Sequence, residues 1–128
     1  MSILKTDLLQ TSSGGATTLT KQSAAKAWAN YDTTGTTSIR DSFNHSSITD
    51  QNTGDTQLNF TNNLSSGNYS VTAMAGRAGA IASILARYND NVAVPTSSLF
   101  RVQLIAMDTN HSGSDADRVA VSTSGDLA

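Results

Sequence analysis

The chain predicts an all-β domain, an antiparallel β-sandwich or barrel-like fold that follows an N-terminal arm. Three observations carry that expectation. Ser and Thr supply 35 of the 128 residues and Asn a further ten, and such side chains compete for backbone hydrogen bonds and disfavour helix interiors. Clusters of Gly, Asn, Asp and Ser recur about every ten residues, the spacing of turns in a meander or sandwich. Between them apolar residues alternate with polar ones at a period of two. The length gives room for one domain, and the boundary falls after residue 20: an arm over 1–20, a β domain over 21–128.

The arm pairs a short apolar stretch, Ile3, Leu4, Leu8 and Leu9, with the hinge Thr11-Ser-Ser-Gly-Gly15. It reads either as a segment that docks on another protein or as a first strand of the domain. Strands are then predicted over Lys26 to Tyr31, closed by Asp32-Thr-Thr-Gly35, over Thr37 to Phe43 and over His45 to Thr49. The turn Asp50-Gln-Asn-Thr-Gly54 leads to a fourth strand, Thr56 to Thr61, where Leu58 and Phe60 alternate with Gln57 and Asn59. Ser65-Ser-Gly67 turns into Tyr69 to Met74, with Tyr69, Val71 and Ala73 on one face. Ala80 to Arg87 fits a helix by the spacing of Ile81, Ile84, Leu85 and Tyr88. Its place among strands favours a strand buried on both sides. Val92 to Pro95 is extended ahead of the proline. Leu99 to Met107 is the clearest strand, with Phe100, Val102, Leu104 and Ala106 on one face, and Arg118 to Ser122 is the last.

Composition excludes several kinds of function. With no cysteine there is no disulfide framework and no thiolate metal site, and that absence suits assembly in a reducing cytoplasm. A net charge of −2 and 14% charged residues, with no basic stripe, argue against nucleic acid as a partner. No apolar run is long enough for membrane insertion. Five Asn-x-Ser/Thr sequons, at Asn44, Asn59, Asn63, Asn68 and Asn110, are what this composition yields by chance.

Candidate chemistry is sparse. Asp108-Thr-Asn110-His-Ser112-Gly113 follows the opening of a calcium loop, but Val119 stands at the twelfth position, where a bidentate Glu is needed. Asp115 and Asp117, and the similar Asp50 to Asp55 stretch, are then more simply Asx turns closing hairpins. His45 and His111 are too few for a histidine zinc site within one chain, and neither sits in a nucleophile motif. Gly76-Arg-Ala-Gly79 lacks the context of a phosphate loop. Trp28 and Tyr31 fit core positions better than a sugar-stacking platform. No catalytic, cofactor-binding or metal residue is nominated, and no cofactor is expected.

The run Leu19-Thr-Lys-Gln-Ser-Ala-Ala-Lys-Ala-Trp28-Ala-Asn-Tyr-Asp-Thr-Thr-Gly35 resembles a module of tail-fibre and other virion structural proteins of tailed bacteriophages, marine ones especially. The resemblance continues through Ile39 to Asn44, Ser47-Ile-Thr-Asp50, Asn52-Thr-Gly-Asp55, Leu58-Asn-Phe60 and Asn68-Tyr69, and closes through Pro95, Phe100 to Gln103, Ser112-Gly113 and Val119 to Asp126. The opening Leu4 to Gly15 is similar to the stretch that precedes the module. The resemblance implies a virion-located, non-enzymatic protein made in the host cytoplasm. It implies a homotrimer that joins other virion proteins through the arm, as a tail-fibre component or a particle-surface decoration protein. The alternative is a receptor-binding module for a host surface polysaccharide.

Overall fold

The computed structural model describes residues 25–79, 84–88, 94–107 and 110–128. The arm over 1–20, residues 80–83 of the ambiguous segment, Val92 and Asp108 lie outside the described residues. Eight strands follow one another: β1 Ala27–Asp32, β2 Ser38–Phe43, β3 His45–Asn52, β4 Asp55–Phe60, β5 Ser70–Gly76, β6 Ile84–Tyr88, β7 Leu99–Ala106 and β8 Arg118–Ser124. They form two four-stranded sheets, in the orders β2-β1-β8-β5 and β3-β4-β7-β6, and every neighbouring pair is antiparallel. The all-β expectation is therefore met by a sandwich. Hairpins β1–β2, β3–β4 and β6–β7 stay within a sheet, whereas the other four connections pass between sheets.

Period-two alternation places the core. Ala27, Ala29 and Tyr31 of β1 and Val119, Val121 and Thr123 of β8 point inward from the first sheet. Leu58 and Phe60 of β4, with Phe100, Val102 and Leu104 of β7, point inward from the second. Each large side chain so buried contributes about 1.5–3 kcal/mol. The Tyr31 hydroxyl shares a 3.2 Å hydrogen bond with Thr56 Oγ1, which ties β1 to β4 across the core. Burial there pushes the Tyr31 phenol up from its ordinary value, the Thr56 bond opposing it. At the β5–β6 side the inward residues are Val71, Ala73, Ala75, Ile84, Ala86 and Tyr88, all only partly buried. Small alanines there leave the two sheets under-filled between these edge strands.

Two backbone features fix the corners. Asn44, between β2 and β3, has φ of 58°, a left-handed conformation that Asn tolerates because its short amide bonds locally. Its Nδ2 donates to the carbonyls of Lys26 and Asn62, both at 3.1 Å, and its Oδ1 accepts from the Asn62 N–H at 2.7 Å. Gly54, at φ 70°, ends the β3–β4 turn, where an added Cβ would stand 2.5 Å from the Leu104 carbonyl oxygen and from the Ser114 nitrogen. Only glycine fits.

The structure corrects two expectations. Trp28 is not core: it is 38% exposed. Residues of opposite parity on one strand face opposite ways, so a core Tyr31 turns Trp28 outward. The segment that was open between helix and strand is strand over Ile84–Tyr88, and it is buried on one face only: Leu85 is 47% exposed.

Candidate interaction surfaces

One end of the sandwich gathers the β1–β2 turn, the β3–β4 turn and the loop before β8. Both stretches read as calcium-like meet there, because Leu104 donates its N–H to the Gly54 carbonyl and accepts at its own carbonyl from Ser114 N–H. Three of their carboxylates, Asp55, Asp115 and Asp117, are committed to structure. Asp115 Oδ1 accepts from Gly54 N–H at 2.8 Å, and Asp117 Oδ1 accepts from Ala78 N–H at 3.0 Å. Asp55 forms a bidentate pair with Arg101, and both are less than a tenth exposed. Asp32 accepts from the Thr34 hydroxyl at 2.6 Å and its N–H at 2.8 Å, and these bonds, with Arg40 beside them, hold its carboxyl below the usual range. Among the described residues no three His, Asp or Glu side chains are grouped to hold a metal ion. Asp115 and Asp117 therefore bond backbone groups 61 and 39 residues away and are cross-links between loops, not the Asx turns expected of them, whereas Asp32 with Thr34 does close an Asx turn.

What these turns enclose is an open polar cleft of about 340 Å³, lined by Thr34, Thr53, Arg77, Ser114 and Asp115 among others. Hydroxyls, one guanidinium and one carboxylate around open space can hydrogen-bond a hydroxylated ligand. The two histidines do not meet. His45 stacks on Phe60, ring centres 5.2 Å apart, and meets the edge of Phe100 at 5.8 Å, whereas His111 is exposed in the loop after β7, at φ 48°. Burial lowers the His45 pKa, against a weaker upward pull from the Asn59 carbonyl. Gly76 closes β5, and Arg77 to Gly79 form an exposed turn.

The second candidate surface is the outer face of the first sheet. Register sets its side chains in rows. Phe43 faces Trp28, Trp28 faces Ser122, and Ser122 faces Thr72. In the next row Asp41 faces Asn30, Asn30 faces Ala120, and Ala120 faces Met74. The centre is flat, built from Ser, Ala and Asn, and large apolar side chains stand at two corners: Phe43 is 55% and Met74 76% exposed. Asp41 is the only charge in these two rows. Exposed apolar corners around a flat centre are the property of an association surface, and the further charges of this face, Arg118 and the Asp32–Arg40 pair, stand beyond these two rows. The sequence analysis did not single out Phe43 and Met74 as surface residues; their parity against the inward Ser42, Ala73 and Ala75 is the signal that exposes them.

No family model, curated protein or solved structure matches the chain. Among the described residues no helix is long and apolar enough to cross a membrane.

Proposed function

We propose that this chain is a virion structural protein of a tailed bacteriophage, a tail-fibre component or surface decoration protein that acts by assembly and not by catalysis. Two lines support the reading: the resemblance that runs from the arm to Asp126, and the exposed apolar face of the β2-β1-β8-β5 sheet. That face is the observation that carries it. Apolar corners of this size, left open to water on a chain with so few charges, make association favourable. In this reading the subunits form a homotrimer, the arm over residues 1–20 joins other virion proteins, and the mature protein resides on the particle.

The test uses particles of the virus that encodes the chain. Antibodies to the purified protein should label intact particles in electron micrographs, and protein lacking residues 1–14 should fold yet fail to join them. Purified particles that carry none of the protein would contradict the proposal.

A second reading has its own observation, the polar cleft at the loop end. There the chain is a receptor-binding module whose Thr, Ser, Asp and Arg groups hydrogen-bond a host surface polysaccharide. Under it, purified protein binds host cells and competes with infection, and Arg77→Ala abolishes the competition. Failure to compete at saturating protein would eliminate this reading.

A further inference from the structure

The two lateral edges of the sandwich carry complementary features. On the β2 edge, Phe43 and Trp28 stand side by side as an exposed aromatic knob. On the opposite edge, about 14 Å away across three strand spacings, the under-filled gap between β5 and β6 opens to solvent. It is a cleft of about 290 Å³, lined by Val71, Ala73, Ala86, Arg87, Tyr88 and Val102. A cavity of about 150 Å³ already holds a benzene ring, so an aromatic side chain fits.

Charge and level agree with the shapes. Asp41 lies on the same face of β2 as Phe43 and is exposed. Arg87, at the cleft, is exposed and its guanidinium bonds the neutral Gln103 Oε1, at 2.9 and 2.7 Å. Trp28 shares its row with Thr72, which sits between the cleft residues Val71 and Ala73. Knob and cleft therefore lie at the same level along the strands. A head-to-tail contact closes into a ring when successive subunits do not climb along the axis and their rotation sums to a full turn, and otherwise grows into a filament.

We infer that the Phe43–Trp28 knob of one subunit seats in the β5–β6 cleft of the next copy, with Asp41 meeting Arg87, so that the subunits close a ring. This inference rests on the reading of the chain as an assembling protein and assigns the surfaces by which it assembles. A head-to-tail contact differs from a two-fold one in what broken subunits do when mixed. Phe43→Asp removes the knob and keeps the cleft; Ala73→Trp fills the cleft and keeps the knob.

Each variant alone should sediment as a monomer, and an equimolar mixture should yield a one-to-one dimer and nothing larger. A second pair of variants, at two exposed positions, leaves the apolar lining of the cleft untouched. Asp41→Arg and Arg87→Asp should each weaken assembly at least ten-fold, and the double variant should recover it. Wild-type protein that stays monomeric at all concentrations, a mixture that forms no dimer although both variants are folded, or a double variant no better than the single ones would overturn the inference. The particle-labelling test reads location and not contact, so either result can fail while the other stands.

Discussion

Arg101 and Asp55 sit on adjacent strands of the second sheet, each less than a tenth exposed, and satisfy one another with two hydrogen bonds. Removing one partner leaves a buried charge without its counter-ion, a loss of about 3–5 kcal/mol. Arg101→Met should therefore cost that much in urea unfolding, and the double variant Arg101→Met, Asp55→Leu should recover most of it. His45 makes stability depend on pH. Its neutral ring is held between Phe60 and Phe100, and its Nε2 has no hydrogen-bond partner among the described residues. Burial lowers its pKa in the fold, so below the unfolded value of about 6.5 the unfolded chain binds the extra proton first. Its contribution is full above that pH and is lost as pH falls, by at most about 1.4 kcal/mol per unit. Denaturation at pH 7 and pH 5 should show the loss, and His45→Phe should flatten it. Neither feature was legible in the sequence. Asp55 and Arg101 are 46 residues apart, and nothing local distinguishes a core histidine from a solvated one.

At the scale of elements the sequence was far more informative. The strands begin and end within a few residues of where alternation and turn clusters put them, because a half-buried strand prints its period directly onto the chain. Trp28 departs from the core expectation because Tyr31, three positions on, has the opposite parity, so one strand cannot bury both. Ala80 to Arg87 stayed open because alanine favours helix while edge-strand burial is set by partners distant in sequence. The β2–β3 corner tests how elements are joined. Asn44→Ala removes three side-chain hydrogen bonds and, with them, the local bonding that lets a residue with a Cβ hold the left-handed conformation, and should cost about 2–4 kcal/mol. Asn44→Gly keeps the backbone conformation, so thermal unfolding should show a smaller loss.

For the whole molecule, the outer face of the first sheet links structure to the proposed role. Trp28 is the only tryptophan in the chain, and it lies within the surface assigned to assembly, so its fluorescence reports on that surface alone. Emission should be blue-shifted in the assembled protein, and Phe43→Asp should abolish the shift while leaving a folded monomer, with the lower unfolding temperature that loss of subunit association brings. The face was legible in outline: the alternation of β1, β2, β5 and β8 determines which residues point outward. Which outward residues become neighbours was not, since the β2-β1-β8-β5 order brings together strands from both ends of the domain.

The most direct test of assembly is the solution mass of the purified protein, by light scattering over a wide dilution series. A concentration-independent value of three times the 13.3 kDa chain mass is the expected result. A monomer at every concentration, with Trp28 emission no different from that of Phe43→Asp, would contradict it.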